Sequence, residues 1–346
     1  MKTWKKLLSL VLVGALAFSF TACGNAKKSD SGSKGKEAFR TLDQIKKSGT
    51  INIGVFSDKN PFGYVDENGE YQGYDIYLAN RLGKDLGVKV NFVSTEAANR
   101  IEYLQTGKVD VILANFTVTD ERKEEVDFAL PYMNVALGVV SPSDKVVKSL
   151  DNWNAKDQLI VISGTTAEPY LMENYPDIPL QKYDSYATAK NALENGNGVA
   201  WVNDNTEVIA FAKQNKDYTV GISKLGDNDT IAPAVTKGNS TLLNWINDEI
   251  KSLGKENFFH ADYEATLLDT YGADYEDTLV IEGGGDAADK IDTEATTEEG
   301  KLDITPGNGE TIKVAASPIP HAEILAKAAD ILKDYGYDLE VTEFDD

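Results

Sequence analysis

The sequence predicts an α/β chain folded into two lobes with a cleft between them. Three observations lead there. Apolar strands alternate with amphipathic helices from residue 40 onward. The alternation starts afresh after an extended run at 134–142. The most distinctive polar residues stand directly after strands, where open α/β sheets hold their ligands.

The elements follow in order. Ile51-Asn52-Ile53-Gly54-Val55-Phe56 reads as a strand, and Lys59-Asn60-Pro61 as a turn. Asp66-Glu67-Asn68-Gly69 marks a hairpin. Ile76, Leu78, Ala79, Leu82 and Leu86 recur at helical spacing, and Gly87 ends that helix. Val88 to Val93 is a second strand, Ala97 to Leu104 a helix stopped at Gly107, and Val109 to Ala114 a buried strand broken by Asp110. This order implies a mainly parallel sheet with right-handed crossovers. The second set contains strands at Leu159 to Ile162 and Val199 to Val202, with helices near Ala167 to Asn174 and Ser185 to Glu194.

The ends read differently. Lys2, Lys5 and Lys6 precede an apolar run from Leu7 to Phe20, too short to span a bilayer and shaped like a secretory signal covering 1–22. Thr21-Ala22-Cys23-Gly24 resembles a lipobox, in which the signal is cut before the cysteine and the thiol is lipidated. Cys23 is the only cysteine of the 346 residues, so an intramolecular disulfide is excluded. Residues 23–37, rich in Ser, Gly, Lys and Asp, read as a flexible tether. Residues 281–310 combine Gly283-Gly284-Gly285 with a dense acidic run and read as a disordered linker. The formal net charge of -22 disfavours nucleic acid and anionic lipid surfaces as partners. It suits a secreted globular body.

Three strand ends carry the chemistry. After Val109 to Ala114 come Asn115-Phe116-Thr117-Val118-Thr119-Asp120-Glu121-Arg122. Arg122 falls in the first turn of a short helix capped by Thr119 or Asp120, from which a guanidinium can grip a carboxylate through two bonds, with Thr117 adding a donor. Spacing equally allows Arg122 to pair with Glu125 or Asp127 on the surface. In the other lobe Asp204 follows a strand; it can pair with an ammonium, and taken alone it reads as the N-cap of the helix that begins near Thr206. The turn Ser163-Gly164-Thr165-Thr166 opens a helix whose free N–H groups suit an anion. An arginine on one lobe, facing an acid and a helix start on the other, matches the carboxylate and ammonium of an α-amino acid.

Leu42 to Tyr271 resembles the polar amino-acid family of bacterial solute-binding proteins. The residues that carry the resemblance are Gly73-Tyr74-Asp75-Ile76, Leu104-Gln105-Thr106-Gly107-Lys108-Val109-Asp110, Thr117 to Arg122 and Val126-Asp127-Phe128. Glu96-Ala97-Ala98-Asn99-Arg100, Ala114 to Thr117, Ile231 to Val235 and Leu243 to Asn247 are similar to the cysteine- and cystine-binding members. The resemblance implies the type II fold of periplasmic binding proteins, with lobe one at about 38–131 and 231–280 and lobe two at about 132–230. The crossing segments fall near 130–136 and 228–235. It implies that Arg122 holds the α-carboxylate, helped by Thr117 and by the 164–166 turn with Thr165 and Thr166, and that Asp204 holds the α-ammonium; Asn115 is a further expected ligand-binding residue. Around Ala97 the ligand, Arg100 or Phe62 then fills the space: Arg100 facing the pocket suits a second carboxylate, and Arg100 paired with Glu96 or Glu102 suits cysteine. The expected function is capture of cysteine or cystine, with glutamate or glutamine second, for the permease of an ABC importer. The expected form is a lipid-anchored monomer on the outer face of a Gram-positive membrane, or in the periplasm of a Gram-negative cell.

Residues 311–346 resemble the start of a methionine-binding lipoprotein through Lys313-Val314, Ser317 to Leu325 and Gly336 to Val341. One strand–helix–strand unit cannot bury its own core, so this segment is expected to be an incomplete second domain that binds nothing. His321 reads as a helix-start residue. The competing class is an enzyme, a dehydratase on the same fold. Against it, the sequence shows no paired carboxylates at strand ends and no metal-spaced His or Cys. Only Asp204 and Glu168 are placed to act as acid or base. No cofactor, metal or catalytic residue is expected.

Overall fold

A computed structural model describes residues 39–288, the strands Glu310–Ala316 and Tyr337–Glu343, and scattered positions between those strands. The signal, the tether, Cys23, His321 and most of the linker lie outside the described residues.

Two five-stranded sheets organise residues 39–288. The first runs, edge to edge, Lys89–Ser94, Thr50–Val55, Val111–Ile112, Ala234–Thr236 and Val126–Phe128. Thr50–Val55 is parallel to both of its neighbours, and Ala234–Thr236 is antiparallel to both of its own. The second runs Leu180–Tyr183, Leu159–Ile162, Ala200–Asp204, Met133–Pro142 and Tyr218–Ile231, with the first three mutually parallel. Leu159–Ile162 is buried at every position, the pattern of a strand covered on both faces. The molecule is thus a two-lobed binding fold of the type II class.

The chain leaves the first sheet after Phe128 and returns at Ala234. The two passages pair with each other: the Ala129 amide donates to the Pro233 carbonyl at 2.8 Å and the Tyr132 amide to the Ile231 carbonyl at 3.0 Å. Two hydrogen-bonded extended segments of this kind form a hinge whose few residues can absorb a rotation of one lobe against the other.

The helix Tyr74–Leu86 follows its predicted pattern, with Ile76, Leu78, Ala79 and Leu82 fully or almost fully buried and Gly87 closing it at φ 73°. Thr119, not Asp120, caps Asp120–Glu125. The strand expected at 109–114 is laddered only at Val111–Ile112, although all six residues are buried. Glu310–Ala316 and Tyr337–Glu343 pair in parallel over seven positions, at the places where the tail's two strands were expected.

The linker does not begin at 281. The Ile281 amide donates to the Tyr132 carbonyl at 3.1 Å, and Glu282 Oε1 accepts from the His260 amide at 2.8 Å. Ala287 and Ala288 pack on the core of the first lobe. The three glycines serve close approach: a Cβ on Gly254 would lie 2.4 Å from the Gly283 Cα, and one on Gly284 would meet Leu130 at 2.9 Å. Composition alone reads such a run as flexible.

Asp262, in the helix Phe258–Thr266, is wholly buried, and its Oδ1 accepts from the Thr266 hydroxyl at 3.1 Å. Burial raises its carboxyl well above the usual range against the pull of the Thr266 bond, and Asp75 and Glu282 raise it further. The folded state therefore binds this proton more tightly than the unfolded chain. The resulting stability is complete below the ordinary carboxylate pKa and is lost as pH rises through the folded value. Asp262→Asn, of the same shape without the charge, is expected to melt with the parent at pH 4 and above it at pH 8. An equal offset at both pH values in thermal melts would contradict this.

Candidate functional site

Lys59 lies in the strand Asp58–Lys59 of a small three-stranded sheet that the hairpin builds beside the first lobe. Its side chain is completely buried. Nζ donates to Asn115 Oδ1 and to Asp204 Oδ2, the latter at 2.8 Å. The ammonium also sits 4.8 Å from the ring centre of Tyr186 and 5.3 Å from that of Phe62. Burial by itself lowers a lysine pKa. Here Asp204, Tyr186 and Glu207, with the hydrogen bond to Asp204, outweigh that and hold Lys59 above its ordinary value.

Asn115 adopts φ 44°, in the left-handed region that asparagine tolerates better than most residues. Its neighbours fix that conformation. The Asn115 amide donates to Asp75 Oδ2 at 2.8 Å, and its carbonyl accepts from Arg100 Nη1 at 3.2 Å. Asp75 Oδ1 accepts from the Tyr132 hydroxyl at 2.6 Å. Burial pushes the Asp75 carboxyl up to about 6, against the opposing effects of the Tyr132 bond, Lys59, the Asn115 amide and Arg100.

Arg100 and Arg122 meet at one atom of the other lobe. Arg100 Nη2 and Arg122 Nη2 both donate to the Gly164 carbonyl, at 2.8 and 2.9 Å. The remaining bonds of Arg100 go to the carbonyls of Ala97, Ala114 and Asn115, and Arg122 Nη1 goes to the Thr117 carbonyl at 2.7 Å. Both guanidinium groups lie over Phe116, at 4.3 and 4.7 Å from its ring centre. Among the described residues neither arginine is in an ion pair. Burial and then the charge of Arg100 pull Arg122 down to about 9, the opposite of what a carboxylate partner does. Arg122 does not pair with Glu125 or Asp127, and Arg100 does not pair with Glu96 or Glu102.

Asp204 ends the strand Ala200–Asp204 and stands at the head of the helix Asn205–Gln214, yet its side chain makes no capping bond. The carboxylate turns to Lys59 across the cleft, so the cap reading is set aside. The turn at 163–166 also differs from expectation. The Gly164 amide goes to Glu168 Oε2 at 3.3 Å, and the Thr165 amide and hydroxyl both donate to the Ile162 carbonyl. Gly164 and Thr165 thus spend their donors within the turn, while the Gly164 carbonyl is offered to the two arginines. Thr166 holds the N-cap position of Ala167–Asn174 without a side-chain bond. Thr117 is buried and bridges to Ile231. Phe62 lies fully buried beneath Lys59, against Tyr271.

The structure therefore brings together Arg122, Arg100, Asn115, Thr117, Phe62 and Asp204, and adds Lys59 and Tyr186, which sequence reasoning missed. A groove of about 580 Å³ reaches this group at Arg122 and is lined besides by Phe116, Leu137, Gly164, Thr165, Thr166 and Asp229 among others. A depression of about 510 Å³ at Tyr77, Arg81, Lys84 and Phe258 contains none of these residues.

An arginine and a carboxylate facing one another across the hinge of a two-lobed fold define a binding protein for small zwitterions. Residues 40–264 match the bacterial extracellular solute-binding proteins, family 3, and the chain belongs to that family. The ABC transporter glutamine-binding protein GlnH of Bacillus subtilis is 31% identical over 266 residues, which cover 75% of this chain and 96% of that protein. A solved solute receptor for L-cysteine of Neisseria gonorrhoeae is 49% identical with a TM-score of 0.69, over 70% of this chain and 100% of its own. The solved cysteine-binding protein from Campylobacter jejuni is 50% identical with a TM-score of 0.68, over 70% of this chain and 98% of its own.

Proposed function

We propose that the protein captures cysteine outside the cell and delivers it to an ABC importer, held at the membrane by a lipid on Cys23. The carrying observation is Arg122, a half-buried guanidinium bonded only to carbonyl oxygens, set across the cleft from Asp204. That arrangement suits the α-carboxylate and α-ammonium of one amino acid. The likeness to two cysteine receptors at about half identity favours cysteine over glutamine, whose binding protein is more distant. A dehydratase would need a free acid or base in the cleft. Asp204 is held by Lys59, and Glu168 by Lys182 and the Gly164 amide.

Thermal-shift measurements on the protein against the amino acids test the reading. Cysteine at 100 times its Kd is expected to raise the melting temperature by about 5–10 °C, since binding to the native state alone supplies about 2.7 kcal/mol at that ratio. Glutamine and glutamate at equal concentration are expected to give smaller shifts. A larger shift with glutamine, or none with any amino acid, would overturn the proposal.

A further inference from the structure

An amino acid entering the cleft brings an ammonium with three N–H donors. Asp204 meets only part of that need. Its Oδ2 is taken by Lys59 Nζ at 2.8 Å, and its side chain is only 7% exposed. The groove that reaches Arg122 is lined by another acid, Asp229. Of the other carboxylates along the groove, Glu121, Glu125 and Glu173 are exposed to water, and Glu168 is paired with Lys182. Asp229 is half-buried and, among the described residues, its carboxylate has no hydrogen bond or ion pair.

The second sheet sets Asp229 beside Asp204. Asp229 lies in the strand Tyr218–Ile231, opposite Val135, and Asp204 ends the strand Ala200–Asp204, opposite Leu137. Val135 and Leu137 belong to the one strand, Met133–Pro142, that runs between these two. Residues opposite one another share a face of a sheet, as do alternate residues of one strand. Both aspartates therefore stand on the same face, and Leu137 lines the groove together with Asp229. Burial, then the charges of Asp204 and Asp227, raise the Asp229 carboxyl above its ordinary value, and Arg122 opposes them. An ammonium placed by the two acids relieves that repulsion.

We propose that Asp229 is a ligand-binding residue that takes the α-ammonium together with Asp204. This rests on the amino-acid reading above. The charges of the site agree with it. Lys59, Arg100 and Arg122 are matched by Asp75, Asp204 and Asp229, while Glu207 is paired separately with Lys190 at 2.9 Å. A zwitterion keeps that balance, its carboxylate going to Arg122 and its ammonium to the two acids. A ligand with a carboxylate and no ammonium leaves a half-buried acid unmatched, which is costly. Engaged by the ammonium, Asp229 is not a free base in the liganded cleft.

Calorimetric titration of the protein with cysteine and with mercaptopropionate, which is cysteine without its ammonium, tests this. Asp229→Asn is expected to weaken cysteine about 10- to 100-fold, the loss that follows removal of a hydrogen bond to a charged group. Mercaptopropionate is expected to bind the variant at least as well as the parent, because it brings a negative charge to a site that has lost one. Asp227→Asn removes an exposed charge from the same strand and is expected to leave cysteine binding unchanged. Without ligand, Asp229→Asn should melt no lower than the parent, since burial and two like charges already oppose that carboxylate. Undiminished cysteine binding by Asp229→Asn, an equal loss in Asp227→Asn, or an equal loss of mercaptopropionate would overturn this proposal and leave the proposed function standing. No binding of cysteine by the parent would overturn both.

Discussion

Arg122→Ala is expected to remove binding of every amino acid, with the dissociation constant rising by a factor between about 100 and several thousand. The magnitude follows from breaking a buried ion pair by deleting one partner, which costs about 3–5 kcal/mol. Arg122 is suited to so large a share because its two observed bonds leave three of its five N–H donors for a ligand carboxylate. It already lies stacked beside Phe116 and locked to Thr117 and Gly164, so little rotamer freedom remains to be lost on binding. The unliganded variant should melt no lower than the parent, since the substitution also removes a like charge next to Arg100. Arg122→Lys keeps the charge without the fork and is expected to fall between the two. Calorimetry showing Arg122→Ala within ten-fold of the parent for any amino acid would dismiss Arg122 as the carboxylate anchor.

Arg122 and Asp204 stood out as candidates because Asp204 ends a strand and Arg122 lies in the short helix that follows one, and in an open α/β sheet strand ends converge on one edge. Lys59 was not. Lys-Asn-Pro reads as a solvated turn, and only the arrival of Asp204, 145 residues further on, buries it. Nothing local distinguishes a lysine that will be enclosed by a second lobe from one that stays in water. The strand Tyr218–Ile231 was hidden for a related reason. Gly221, Lys224, Gly226, Asp227 and Asn228 have the composition of a loop, and the segment becomes a strand through its long pairing with Met133–Pro142. Pairing of this kind overrides local preference in sheets more readily than in helices. The glycines at 283–285 misled in the opposite direction, since the chain there packs closely, Gly283 against Gly254 and Gly284 against Leu130. Thr165 shows a third limit. A residue type can be right for a site while its donors are spent on the turn that places it there.

Gly164→Ala is expected to prevent closure of the two lobes while leaving each lobe folded. Gly164 sits at φ 80°, and a Cβ there would lie 2.5 Å from the Ala98 Cα, 2.6 Å from the Ala98 nitrogen and 2.8 Å from the Ala97 carbonyl carbon. All three are backbone atoms of the opposite lobe, so no side-chain rotation relieves the overlap and the lobes must stand apart. That separation also takes the Gly164 carbonyl from Arg100 and Arg122 and pulls Asp204 from Lys59. Apparent affinity scales with the population of the binding-competent form, so reducing that form to about one per cent weakens binding about 100-fold. Within the second lobe the substitution costs only the left-handed strain of an alanine, about 1–2 kcal/mol, which lowers melting by a few degrees. Small-angle scattering should show the parent contracting with saturating cysteine and Gly164→Ala unchanged. Ala98→Gly added to Gly164→Ala should not restore closure, because the overlap is with the Ala98 backbone and not its methyl group. Contraction of Gly164→Ala, or rescue by Ala98→Gly, would mean that this turn does not govern how the lobes meet.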